Sequence, residues 1–143
     1  MNRPKILQAG IREVKFGCKV TLVEPLNLYE CEIGDDVFVG PFVEIQKGVV
    51  VGARSRIQSH CFICEKVTIG EDCFIGHGVT FINDAIRTGE ISFDPSDWEK
   101  TLIGNGAIIG SNATVLPVTI APGVVVGAGA VVTKDLLEPG IYV

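Results

Sequence analysis

The sequence predicts an all-β fold, a parallel β-helix wound from six-residue repeats, and three observations carry that prediction. Every sixth residue from Ile33 to Phe81 is apolar: Ile33, Val39, Ile45, Val51, Ile57, Ile63, Ile69, Ile75 and Phe81. The residue four places after each of the first eight is small: Val37, Val43, Val49, Ser55, Cys61, Val67, Cys73 and Val79. Turn formers occupy the corners, with Gly34, Gly40, Gly52, Gly70 and Gly76 directly after the apolar residue, and Asp36, Gly48, Asp72 and Gly78 at the fourth place of the repeat. A period of six matches neither the 3.6 of a helix nor the alternation of a two-sided strand. It matches short strands joined by sharp corners, each segment pointing one large and one small side chain inward. Asp and Gly tolerate the positive φ that such corners need.

Taken in order, residues 1–13 show no period and read as a cap or a loose leader, and the open apolar end of a solenoid favours the cap. The rhythm starts weakly at Phe16, Leu22 and Leu28, slips to five residues before Ile33, and runs in register to Phe81. It stops across Asn83 to Thr101, where Asp94-Pro95-Ser96-Asp97-Trp98 is turn chemistry, and resumes at Ile103, Ile109 and Val115. Phe81 and Ile103 are 22 apart, one repeat plus 16 residues, so one long loop around residues 84–100 is expected to leave a corner. Loops of that length inside a domain are usually functional. A second five-residue slip precedes Ile120, after which Val126 and Val132 finish the solenoid and Pro139-Gly140 is expected to end it. Three repeats make one coil, so residues 18 apart stack, and roughly seven coils at about 4.8 Å give a prism about 30 Å long. Asp36, Arg54 and Asp72 then form a charge ladder of little energetic weight. Phe42, Val50 and Phe62 point outward, which argues for association, and a three-sided prism suits a closed homotrimer.

The 143 residues make a single domain, 1–143, whose 47% hydrophobic content fills a core. A net charge of −5 and a pI near 5.0 leave no footprint for nucleic acid or an anionic membrane. Met1-Asn2-Arg3-Pro4-Lys5 leads into no long apolar run, so neither a signal peptide nor a spanning helix is expected. Five cysteines without a secretory signal read as reduced thiols, and the expected compartment is the cytoplasm.

Two histidines occur, His60 and His77, both at corners and therefore outward on successive coils. His77 lies in Gly76-His77-Gly78 on the coil that emits the long loop, and a neutral imidazole is the commonest general base near pH 7. Asn83 and Asp84 follow one repeat later, at the loop mouth; the same pair is also ordinary turn chemistry. One repeat spans nearly a whole side of the prism, so His77 and Asn83 meet only if the site lies between subunits. Trp98 either stacks on a ligand or anchors the loop, and anchoring is the better reading. Cys61 and Cys73 sit at small inward positions on different sides of the triangle, so packing explains them better than zinc, and no metal is expected. Gly104, Gly110, Gly127 and Gly129 crowd the later coils, where a cofactor could approach the backbone.

The repeat resembles the left-handed β-helix hexapeptide acyltransferases from about residue 16 onward. Within that group the chain is similar to the acetyltransferases of nucleotide-linked amino sugars, the 3-amino-sugar enzymes most of all. The blocks are Val39 to Gln46, Ile57 to His60, Ile75-Gly76-His77-Gly78-Val79-Thr80-Phe81-Ile82-Asn83-Asp84, Ile109 to Thr114, and Val131 to Asp135. The resemblance implies a left-handed helix, a homotrimer with sites between subunits, and acetyl-CoA as co-substrate. It implies that Asn83 and Asp84 meet the sugar amine and that His60 and His77 line the site; Trp98 is the further candidate for substrate contact, and Gly110, Ser111, Gly127, Ala128 and Lys134 are the candidates for holding the cofactor. The role it implies is N-acetylation for surface polysaccharide of the lipopolysaccharide type. The amine proton goes either to His77 or to the departing thiolate. Two departures stand out: family members continue past the position of Val143 with a Gly-Asn-Pro-Ala-like segment and a basic residue, and the loop from Ala85 to Trp98 differs from the commoner forms. Three other readings stand beside it: O-acetylation of a hydroxyl, which depends heavily on a general base; a zinc hydratase of the γ-carbonic-anhydrase kind, for which two histidines do not suffice; and a non-catalytic scaffold.

Overall fold

Twenty short strands, most of two residues, wind through a computed structural model that describes residues 1–143. They fall on three faces, and each strand pairs in parallel with the strand of the next coil on the same face. The first face carries Ile11–Arg12, Asn27–Tyr29, Glu44–Ile45, Phe62–Ile63, Thr80–Phe81, Thr114–Val115 and Val131–Val132. The second carries Lys15–Phe16, Glu32–Ile33, Val50–Val51, Val67–Ile69, Thr101–Ile103 and Thr119–Ile120. The third carries Thr21–Leu22, Phe38–Val39, Arg56–Ile57, Phe74–Ile75, Ile108–Ile109, Val125–Val126 and Ile141–Tyr142. The result is a left-handed parallel β-helix of about seven turns.

The inward positions explain why this sequence winds as it does. Ile33, Ile45, Ile57, Ile63, Ile69, Ile75 and Phe81 are all buried, and with the small positions they belong to one core of 31 residues. Ser55 sits among the small positions without penalty, because its hydroxyl donates to Gly70 O at 2.7 Å and accepts from Cys73 N at 3.0 Å. Cys61 donates to Gly76 O at 3.0 Å. Burial pushes the Cys61 thiol up to about 11 and that of Cys64 to about 12, so these sulfurs are protonated packing groups. Residues 82–100 leave the coil, yet Ile69 pairs directly with Ile103 and Phe81 with Val115, so the excursion does not disturb the stack.

Corner positions show positive φ as expected at Asp36 (56°), Gly48 (78°), Asp72 (56°) and Gly78 (70°). Phe42 (61°), Arg54 (61°), His60 (66°) and Lys66 (75°) adopt it too, although a β-carbon there costs about 1–2 kcal/mol. The coil below holds them in place: Phe42 N donates to Pro25 O at 2.6 Å, Arg54 N to Asp35 O at 2.8 Å and His60 N to Pro41 O at 3.1 Å.

The ends differ from expectation. Ile11–Arg12 already pairs with Leu28–Tyr29, so the solenoid starts inside the segment that shows no period. An end coil has a neighbour on one side only, and Val14 and Val20 are but partly buried, which relaxes the demand for a regular apolar position. Residues 1–9 are exposed, Ile6 at 77% and Leu7 at 79%, and they do not cap the core. Pro139-Gly140 does not end the winding, because Ile141–Tyr142 pairs with Val125–Val126. The charge ladder is shorter than expected: Arg54 binds Asp72 and Glu71, and Asp36 takes no part in an ion pair. Of the three outward apolar residues, Phe42 is 58% exposed, while Val50 and Phe62 are half-buried.

Candidate functional site

The first face gathers most of the chemistry-bearing residues, with one edge at the histidine corner and the other at the loop mouth. Its outward row runs Asn27, Glu44, Phe62, Thr80, Thr114 and Val131 up successive coils.

At the histidine edge, His60 and His77 are both exposed. His60 stacks on Phe42 with ring centroids 4.9 Å apart and an interplanar angle of 29°. His77 N donates to Ser111 Oγ at 3.2 Å, and His77 O accepts from Asn112 N at 2.8 Å. Ser111 O in turn accepts from Gly129 N at 2.8 Å, which brings Ser111 and Ala128 into the same column as His77, two coils deep. The glycines flanking His77 have a structural reason: a β-carbon on Gly76 would lie 2.6 Å from Ser111 N, and one on Gly78 would strike Asn112 Oδ1. Gly110 is pinned the same way, its β-carbon falling 2.5 Å from Ala128 N. Ser111 and Ala128 remain as the surface groups a cofactor would touch on this edge.

At the other edge, Asn83 is half-buried and its Nδ2 donates to Glu65 O at 3.1 Å, while Asn83 O accepts from Glu99 N at 2.8 Å. Asp84 spends both carboxylate oxygens on the loop: Oδ1 accepts from Ile86 N and Oδ2 from Ser92 N, each at 2.9 Å. Those two N–H groups hold its pKa below the usual carboxylate range, so it is an anion at neutral pH. Trp98 donates Nε1–H to Ser92 O at 3.0 Å and is half-buried, which is the anchoring geometry. Lys134 is exposed and lies on this edge, since Val132 pairs with Val115 and Val115 with Phe81. The expected cofactor residues therefore divide: Gly110, Ser111, Gly127 and Ala128 at the histidine edge, Lys134 opposite. His77 and Asn83 sit at the two ends of the Thr80–Phe81 strand and do not meet within one chain.

A chain of hydrogen bonds crosses the face below them, and sequence reasoning missed it. Asn27 Nδ2 donates to Glu44 Oε1 (3.0 Å), Gln46 Nε2 donates to Glu44 Oε2 (2.9 Å), and Gln46 Oε1 accepts from Glu65 N (3.3 Å). Glu65 O then receives Asn83, so the amide at the loop mouth is the last member of a network that starts three coils lower. The outward places of the period were the available signal, since a carboxylate and two carboxamides recur there.

Comparison with known proteins bears on the repeats and on the fold. Residues 30–65 match the family described as bacterial transferase hexapeptide (six repeats), and residues 66–85 and 100–134 match the hexapeptide repeat of succinyl-transferase, together well over half of the chain. The bifunctional protein GlmU of Nitratidesulfovibrio vulgaris (strain DSM 19637 / Miyazaki F) is 36% identical over 112 residues, 71% of this chain and 24% of that protein. The chain thus spans about a quarter of the length of this curated relative. A hexapeptide transferase family protein from Anaplasma phagocytophilum superposes with a TM-score of 0.70 at 15% identity, covering 92% of this chain and 78% of that one. A point mutant of perosamine N-acetyltransferase from Caulobacter crescentus, in complex with CoA and GDP-perosamine, superposes with a TM-score of 0.65 at 22% identity, covering 86% and 49%. Matched repeats along the solenoid and a shared fold lead to one conclusion: the chain belongs to the hexapeptide-repeat transferase family.

Proposed function

We propose that this protein is an acetyl-CoA-dependent N-acetyltransferase acting on the amine of a nucleotide-linked amino sugar, working as a homotrimer in the assembly of bacterial surface polysaccharide. The observation that carries the reading is the coil that emits the loop, which places His77 at one edge of the first face and Asn83 with Asp84 at the other. A three-fold assembly sets the His77 edge of one chain against the Asn83 edge of its neighbour and completes a site that neither chain holds alone. The acyltransferase chemistry is supported by the family and by the perosamine enzyme of the same fold, which was seen with CoA and an amino-sugar nucleotide.

In this reading acetyl-CoA runs along the later coils, its thioester near His77, with Ser111 and Ala128 on one side and Lys134 of the opposite edge meeting phosphate charge. Asn83 orients the acceptor amine, and Asp84 holds the loop that carries it and supplies negative charge beside the developing ammonium. The amine lone pair attacks the thioester carbonyl carbon, the carbon–sulfur bond breaks, and an amide and free CoA result. The amine proton ends on His77 or on the CoA thiolate. Orientation of amine against thioester supplies much of the rate, because a neutral amine is already a good nucleophile.

The test is release of CoA thiol from acetyl-CoA by the full chain across a panel of amino-sugar nucleotides. Turnover with at least one is expected, and intact assemblies inert to all of them would overturn the reading. His77→Ala separates amine from hydroxyl acceptors: a mild loss fits an amine, and a loss of several orders of magnitude fits O-acetylation.

A further inference from the structure

Below the histidine edge lies a hollow of about 250 Å³, bordered by Pro25, Leu26 and Val43 on its apolar side and by Asn27, Glu44 and Phe42. Three features of its lining have no explanation in the solenoid. Asn27 Oδ1 is buried and accepts no hydrogen bond, although nearly every buried side-chain acceptor in a folded protein has a donor. Glu44 has each carboxylate oxygen engaged by one amide N–H, Asn27 Nδ2 and Gln46 Nε2, which leaves lone pairs on both oxygens. Phe42 holds a bulky side chain at φ 61°, as His60 above it does at 66°, where the later coils of the same corner column use Gly78, Asn112 and Gly129, and its ring stands 58% exposed against His60. A strained, exposed aromatic at the rim of an acceptor-lined hollow points to a ligand.

We propose that this hollow is the subsite for the nucleobase of the acceptor, and that it takes bases carrying a ring N–H, namely guanine, uracil or thymine. The inference rests on the acceptor class proposed above and assigns the part of that acceptor which contacts the early coils. The hollow is smaller than the roughly 300–1,000 Å³ of a whole small-molecule site, so it holds a ring and not the entire ligand. Its acceptors outnumber its free donors, since Glu44 keeps lone pairs on both oxygens while Asn27 Nδ2 has already given one of its two N–H groups, so it favours a ring edge that donates. Adenine and cytosine present a ring nitrogen lone pair beside their exocyclic amine, so one of the two positions from which the Glu44 carboxylate can accept is lost. The carboxylate also fixes direction, since it repels the pyrophosphate and leaves the base as the part that faces it. Glu44 and Thr80 lie two strand spacings apart on the same outward row, about 10 Å, which leaves the diphosphate to cross Phe62 and His60 and the sugar amine to reach the Thr80 level.

Calorimetric titration of GDP, UDP, dTDP, ADP and CDP into the full chain, each alone and without acetyl-CoA, tests this. At least one of the first three is expected to bind, with ADP and CDP about tenfold or more weaker. Phe42→Gly removes the ring and suits the turn, as Gly78 and Gly129 already do in that column, so the variant folds; it and Glu44→Gln should each weaken the bound nucleotide about tenfold or more while CoA titrates as before. Nucleotide affinity unchanged by both substitutions, or no binding of any of the five at millimolar concentration, would overturn the subsite. Loss of acetyl transfer with the nucleotide pattern intact would remove the proposed reaction and keep the subsite, so the two failures are distinct.

Discussion

The coils and the loop of residues 84–98 are held by different physics. Each coil turns an Ile, Val or Phe into a shared core and gives its backbone to the coils above and below, so its order is non-local. No residue of the loop is buried, and Ile91 and Phe93 stand 66% and 89% exposed. Its shape comes from short polar ties: Asp84 to Ile86 N and Ser92 N, Ser92 Oγ to Asp97 at 2.7 Å, Trp98 Nε1 to Ser92 O, and Arg87 to Glu99 at 3.0 Å. A loop built this way can change its sequence without unwinding the helix that carries it. Stability rests on the apolar column, and the shape of the loop on the polar ties.

Phe81→Ala should give the largest effect and tests the coil side of that contrast. Phe81 is fully buried in the coil that emits the loop, and removing such a ring costs about 3–5 kcal/mol. Neighbouring coils share their interfaces, so far-UV circular dichroism and Trp98 fluorescence should lose stability together in urea. A Trp98 transition that stayed in place would show that the loop folds independently of its coil.

Asp84→Ala probes the loop alone. Coil melting should stay near wild type, Trp98 fluorescence should change, and acetyl transfer should fall roughly hundredfold because Asn83 loses its fixed neighbour at the loop mouth. Full activity with a disordered loop would remove the loop from the mechanism.

The same contrast explains what the sequence disclosed. The apolar column is periodic, so Ile33 to Phe81 announces the coils, and the excess between Phe81 and Ile103 announces the loop and its size. Spacing alone shows Asp84 as a turn residue at a loop mouth and the resemblance adds the sugar amine, but its hold on the loop stays hidden, because its partners, Ile86 N and Ser92 N, are backbone groups with no sequence identity. Glu44 and Gln46 fall on outward places, where the period fixes the position and not the residue type, and the Asn27 to Asn83 network exists only after four coils are stacked. The positive φ at Phe42 was equally hidden, for the corner is dictated by the winding and not by the residue standing there. His77 and Asn83 were legible as positions, and their separation across a face followed from the six-residue spacing.

Acid and alkali should separate the two regions. The Asp84 carboxylate is held below its ordinary value by Ser92 N and Ile86 N, and that of Asp94 by Ser96. A depressed carboxylate contributes above the unfolded pKa of about 3.9, and the contribution is lost as pH falls through the lower folded value. Below about pH 4, Trp98 fluorescence should therefore shift before the coils melt. The buried thiols act with the opposite sense. Desolvation raises Cys31 and Cys61 to about 11 and Cys64 to about 12, so their contribution is complete below the unfolded value of about 8.5 and fades as pH rises toward those figures. Coil melting temperature should drop in alkali, with no earlier change at Trp98. Coincident loss of both signals in acid would mean that loop and coils unfold as one unit.

The smallest effect belongs to Arg54, where surface charge and corner strain are superimposed. Its guanidinium binds Asp72 at 2.8 and 3.1 Å and Glu71 at 2.8 Å, but every partner is about half exposed and screened by salt. Its backbone sits at φ 61°, a conformation that disfavours any side chain with a β-carbon. Arg54→Ala deletes the ion pairs and keeps the strain, whereas Arg54→Gly deletes both. If the winding dictates the corner, the Gly variant should melt a few degrees above the Ala variant, and the Ala variant should differ from wild type only at low ionic strength. Equal melting of the two variants would mean that the β-carbon costs nothing at this corner. Phe42 and His60 would then carry no stored strain either, and an exposed aromatic at the hollow would need no ligand to account for it.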